Sequence, residues 1–190
     1  MTEHFDSLNV PHTAKLRVAD FMLLNDAGAF ERYAKSELIE GEIICMNSQY
    51  SQHARIKSLL MFELESALRA KKSDLSAWCE VSIHLSDDSM PEPDIVLTCY
   101  RGTGAVPLDT VALIVEVADT TLDNDLGRKA RLYGAAGVAE YWVVDVAGNR
   151  ILLHTDPTQN GYAEQTAVPF GEPLVSGTID GIAVATDRLA

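Results

Sequence analysis

Three charged residues stand where the sequence otherwise asks for apolar ones. Glu116 sits between Val115 and Val117, near the end of the most apolar segment, TVALIVEV (110–117). A carboxylate placed there is costly unless a cation or hydrogen-bond donors meet it. Asp94 opens DIVLTCY (94–100), and Pro91 and Pro93 stiffen the approach to it. Lys129 falls in a stripe formed by Leu122, Leu126, Lys129, Tyr133 and Gly137. At about 100° per residue it lies in the middle of the face turned to a sheet. Each alone has an ordinary explanation, a paired core carboxylate or a snorkelling lysine. Together, two carboxylates at neighbouring strand ends and an ammonium from the next helix form a set that can hold a divalent cation. Such a cation prefers oxygen ligands, and one positive donor would stay beside it.

The surrounding patterns say which elements must position these residues. Ser51 to Ala70 carries His53, Ile56, Leu60, Leu64, Ala67 and Leu68 on one stripe and predicts a long helix, with Ser48 or Ser51 as its cap. A second helix is expected over 123–136, stopped near Gly134–Gly137. Val18 to Leu24 gives a shorter helical pattern. LIEGEIICM (38–46) reads as a strand pair or a strand bent at Gly41. AWCEVSIHL (77–85), DIVLTCY, TVALIVEV and EYWVVDV (140–146) read as strands; the third is apolar on both faces and should be central. Arg150–His154, Gly161–Val168 and Gly181–Ala185 suggest a closing antiparallel meander. The order predicts an α/β (α+β) chain: a mixed central β-sheet flanked by helices, with additional antiparallel strands. One domain over 1–190 is expected, with a loosely ordered start over 1–15.

Composition narrows the functional classes. The chain has 190 residues, with 28 Asp plus Glu against 15 Lys plus Arg, for a net charge of −13. Proteins that coat nucleic acid without sequence preference carry the opposite excess. Cys45, Cys79 and Cys99 form no C-x-x-C pair and lie in apolar runs, so they read as small buried hydrophobes rather than a disulfide or zinc framework. No apolar run approaches the ~18 residues of a membrane span, and the N-terminus lacks a signal-peptide pattern. A cytoplasmic protein is expected. Motifs for a nucleophilic serine, a phosphate-binding loop or a zinc protease are missing from the sequence.

The run from Pro91 to Asp145 resembles the PD-(D/E)XK nuclease superfamily, and within it the Uma-two-type restriction-endonuclease family. The matching pieces are PEPDIVL (91–97), LIVEVADTTL (113–122), DNDLGRKARLYGAAGV (123–138) and AEYWVVD (139–145). ELIEGEIICM (37–46) and ILLHTDPTQNGYAE (151–164) also fit. The superfamily's usual lysine, two residues after the strand Glu, is Ala118 here. In the Uma-two-type branch the lysine comes from the following helix, and Lys129 matches that placement. The resemblance implies a restriction-endonuclease-like fold and hydrolysis of DNA phosphodiesters with Mg²⁺ or Mn²⁺. Asp94, Glu116 and the backbone carbonyl of Val117 would bind the metal. Lys129 would orient the water or stabilise charge in the transition state, where a compact ammonium fits better than a planar guanidinium.

His53 and Glu42 are second-tier candidates as partners of the metal site. His84 and His154 read as structural, and Tyr141 and Trp142 as core. Arg55, Lys57, Arg69, Lys71 and Lys72 on the first long helix, with Arg128, Lys129 and Arg131 on the second, could form a local basic surface. A homodimer is expected, so that two sites meet two strands. The alternative is a catalytically silent dimeric binding or regulatory protein of nuclease fold. A weaker third reading is hydrolysis of a small phosphodiester.

Overall fold

A computed structural model describes residues 13–190. The loosely ordered start expected over 1–15 lies outside the described residues up to position 12. The chain runs through α1 (Val18–Asp26), β1 (Lys35–Ile39), β2 (Glu42–Met46), α2 (Ser51–Ala70), β3 (Ser76–Cys79) and β4 (Ile83–His84). It continues with β5 (Ile95–Thr98), β6 (Val106–Pro107), β7 (Val111–Ala118), α3 (Leu122–Asn124), a π-helical turn (Asp125–Lys129) and α4 (Ala130–Ala135). It closes with β8 (Glu140–Asp145), β9 (Arg150–Thr158), β10 (Gly161–Pro169), β11 (Leu174–Val175) and β12 (Ala183–Val184).

Six strands form one sheet in the order β10–β9–β8–β7–β5–β3. β7 and β8 pair in parallel and the other neighbours antiparallel. β7 is central, and Leu113 to Ala118 are all buried, as a strand covered on both faces must be. The helical stretch from α3 to α4 makes the crossover that the parallel pair requires. One sheet face packs Leu113, Val115, Trp142 and Leu153 against Ile56, Leu60, Leu64 and Leu68 of α2. The other packs Ile114, Tyr141, Val143 and Leu152 against Ala130 and Tyr133 of α4. Tyr141 and Trp142 are fully buried core residues.

The expected strand pair over 38–46 is a β1–β2 hairpin outside the main sheet. Glu40 and Gly41 both have positive φ, 52° and 77°, the conformation of a two-residue type I′ turn. A Cβ at Gly41 would meet Lys15 Cβ at 2.8 Å. Leu38 bonds Met90 through both backbone groups and packs with Phe21 in a small separate core.

Several expectations are corrected. Residues 77–85 do not form one strand: Glu80 takes φ 52° and sends its N–H to the carbonyl of Asp94, dividing β3 from β4. α2 begins after Tyr50 with no side-chain cap, so neither Ser48 nor Ser51 caps it. The last strand of the meander pairs instead with β11, away from the main sheet. Buried Glu140 accepts bonds from Ser176, Gly177 and Thr178 and pins that segment. Cys45 and Cys79 are only half-buried, and Cys99 is exposed. Among the described residues no helix is long and apolar enough to cross a membrane.

Candidate active site

The β5–β7 register sets Ile95 opposite Val115. Asp94 directly precedes Ile95 and Glu116 directly follows Val115, so the register brings the two carboxylates near each other, and the charge of Asp94 acts on Glu116. The N–H of Val117 donates to Asp94 Oδ2 at 2.8 Å.

Asp94 is 3% exposed and held from several sides. His53 Nε2 lies 3.1 Å from Oδ2, and Gln49 Nε2 donates to Oδ1 at 3.2 Å. Lys57 Nζ stands 3.8 Å from Oδ1. Burial works to raise the pKa of Asp94, but His53 and the Val117 N–H outweigh it and hold the carboxyl below its ordinary value.

Glu116 receives Lys129 Nζ at 2.8 Å and the Tyr133 hydroxyl at 2.9 Å, both on Oε1. Lys129 also reaches Glu37 Oε1 at 3.3 Å, and Glu37 Oε2 accepts the N–H of Glu92. Burial pushes Glu116 up to about 7, with Asp125 and Asp94 adding to the rise and Lys129 opposing it. Burial also works to lower the pKa of Lys129, but Glu116, Glu37 and Asp125 outweigh it and keep the ammonium charged. Asp125 is raised by burial, against Lys129 and the Thr121 hydroxyl that bonds it. Burial raises Glu116 and Asp125, the surrounding carboxylates raise Lys129, and Asp94 alone is held low.

Lys129 closes the π-helical turn, a local widening of the helix that often marks functional sites. Lys129 and Tyr133, one turn apart, meet the same carboxylate oxygen. Of the expected stripe, Leu122 and Leu126 pack at its margin and Gly137 is exposed.

These side chains line a cavity of about 580 Å³, within the usual range for small-molecule sites. Asp94, Glu116, Val117, Lys129 and His53 all line it. Glu42 does not. It shares a hairpin face with Ile44 and Met46, but it lies beside the turn and pairs with Lys15 and Arg128 in solvent. Glu37, one rung deeper and opposite Ile44, is the hairpin acid inside the cavity. His84 is exposed, and His154 is buried against Tyr141 and Tyr162; both lie away from the cavity.

Of the cations expected to form a basic surface on the two helices, Arg55, Lys71, Lys72 and Arg131 are exposed, while Lys129 is buried in the cavity and three others are ion-paired. Lys57 is buried and paired with Glu80, Arg128 with Glu40 and Glu42, and Arg69 with Glu65. Sequence reasoning missed Glu37, Asp125, Lys57 and Gln49. The signal for Glu37 was the alternation Lys35–Glu37–Ile39 facing Ile44 and Met46; for Lys57 it was its spacing one turn after His53.

Among the described residues no three His, Cys, Asp or Glu side chains form a ready cation cage. The set nevertheless suits a small hard cation. Mg²⁺ commonly uses one or two carboxylates and keeps several waters. Asp94 and Glu116 could supply the carboxylates and the carbonyl of Val117 a further oxygen, and the cavity has room for water.

The mixed six-stranded sheet flanked by helices is similar to a nuclease fold. A solved structure titled as a "putative nuclease belonging to DUF820" from Anabaena variabilis shares the fold, with a TM-score of 0.60 and 16% identity over 81% of this chain and 88% of that one. The family model described as "Uma2: Putative restriction endonuclease" matches residues 18–186. The chain belongs to that family. No protein of curated function matches it.

Proposed function

We propose that the protein is a metal-dependent endonuclease that hydrolyses DNA phosphodiester bonds. One observation carries the reading: Asp94 and Glu116, from neighbouring strand ends, line a single cavity, with Lys129 at 2.8 Å from Glu116. Asp94, Glu116 and the Val117 carbonyl would hold Mg²⁺ or Mn²⁺. Bound there, the ion supplies Lewis acidity toward the phosphoryl group and a water that ionises near neutral pH.

The protein's own residues do the rest. Water attacks phosphorus and loses a proton to solvent, the bond to the leaving oxygen breaks, and the leaving oxygen takes up a proton from solvent. Lys129, held protonated, donates hydrogen bonds to the charge that builds on the phosphoryl oxygens. Its carboxylate neighbours favour the ammonium, the form that this role needs. His53 and the Val117 N–H fix the orientation of Asp94 and keep it ionised. Glu37 holds Lys129 from the far side. A homodimer belongs to the same proposal and is read by sedimentation.

The test is cleavage of plasmid and oligonucleotide DNA with Mg²⁺ or Mn²⁺. Asp94→Asn should abolish it, and Lys129→Gln should slow it about 10²-fold or more. Equal cleavage by all three proteins would overturn the proposal. The rival reading, a silent nuclease-fold binding protein, is favoured by one observation: Lys57, Arg128 and Lys129 are all spent in ion pairs. Cation binding without cleavage of any strand would favour it.

A further inference from the structure

The cavity has two unlike walls. Its floor is charged, with Asp94, Glu116 and Lys129, and Glu37 reaches Lys129 from the hairpin. Its opposite side is the inner face of the β1–β2 hairpin, where the pairs Lys35–Met46, Glu37–Ile44 and Ile39–Glu42 stand across from each other. From that face Ile39, Ile44 and Met46 line the cavity, and Ile44 and Met46 are only half-buried, leaving apolar surface open to it. At the mouth, Tyr50 also lines the cavity and is 73% exposed. It belongs to none of the three core clusters of the fold. Neutral polar side chains also line it, Asn47, Ser48 and Gln49 from one segment and Thr120, Thr121 and Asn124 from another, the latter beside Asp119 and Asp125.

A duplex phosphate needs only the floor. An intact duplex also presents one negative charge per ~1.7 Å and is gripped by rows of lysine and arginine. Here three cations line the cavity. Arg128 and Lys129 are ion-paired, while Glu80, Asp119 and Asp125 add negative charge. Apolar surface, an exposed aromatic ring and neutral hydrogen-bonding side chains suit a nucleobase.

Resting on the nuclease reading, we propose that the scissile nucleotide is bound with its base out of the stack. The base lies against Ile44 and Met46 and is met by Tyr50 at the mouth, while its phosphate is directed toward the Lys129 ammonium. The preferred substrate is therefore single-stranded or locally unpaired DNA. A paired base cannot reach the hairpin wall without leaving its stack, a cost that is least where pairing is already lost.

The test separates binding from hydrolysis. In EDTA, where cleavage is silent, fluorescence anisotropy compares a labelled single strand, the same strand as a duplex, and a duplex with one unpaired nucleotide. The single strand and the unpaired site should bind at least tenfold more tightly than the full duplex. Tyr50→Ala should remove about tenfold of that preference, Tyr50→Phe should keep it, and an abasic residue at the unpaired site should abolish it. Because Tyr50 is exposed, its replacement leaves the core intact. Ile44→Ser, checked by its melting curve, should act in the same direction. Equal affinity for all three DNAs, or a preference that Tyr50→Ala and Ile44→Ser leave unchanged, would refute the base site. The preference without metal-dependent cleavage keeps the base site and removes the nuclease reading; cleavage without the preference does the reverse.

Discussion

Lys129 is the residue on which the site's electrostatics turn. It is 4% exposed and shared by Glu116 and Glu37. Removing it leaves two buried carboxylates facing each other with their common counter-ion gone. Lys129→Met should therefore cost about 3–5 kcal/mol in urea unfolding, and adding Glu116→Gln should return part of the loss. A cost below about 1 kcal/mol, typical of surface pairs, would show that the pair is not what holds the site. At this scale the sequence was informative for Asp94, Glu116 and Lys129, because each is a charge interrupting an apolar pattern. It was silent on the choice between Glu37 and Glu42. Both are hairpin acids on the same face, and only the pairing register sets one deep and the other beside the turn. Lys57 was read as a surface cation because its partners, Glu80 and Asp94, come from distant segments.

At the scale of elements, Lys129 is aimed by the helical crossover, and the crossover is seated by a glycine contact. Gly134 of α4 touches Gly161 at the start of β10. A Cβ on Gly134 would come within 2.0 Å of the Gly161 carbonyl oxygen. Backbone on both sides cannot yield as a flexible side chain would. Gly134→Ala should push α4 off the sheet, cost about 1–3 kcal/mol and lower Tm. An unchanged Tm would contradict this packing. The major elements were legible because their periodicities are strong: α2, the central β7 and the buried β8 follow directly from spacing and apolar runs. What escaped were features set by tertiary partners. The break at Glu80 depends on the Asp94 carbonyl, the π-helical turn interrupts a pattern that reads as plain helix, and the β11–β12 pair forms away from the sheet it was expected to extend.

At the scale of the whole molecule, six of the chain's 28 acidic residues line one cavity. The net charge of −13 disfavours wrapping of duplex DNA, while the local crowding of carboxylates favours a cation that relieves it. A ligand bound only by the folded state must also stabilise the entire fold. The account is tested most directly by titrating the protein with Mn²⁺ in a calorimeter, alongside a folded Asp94→Asn variant. We expect one ion per chain for the native protein, a raised Tm in its presence, and loss of both in the variant. No heat from the native protein, or identical binding by Asp94→Asn, would contradict the metal centre formed by Asp94, Glu116 and the Val117 carbonyl.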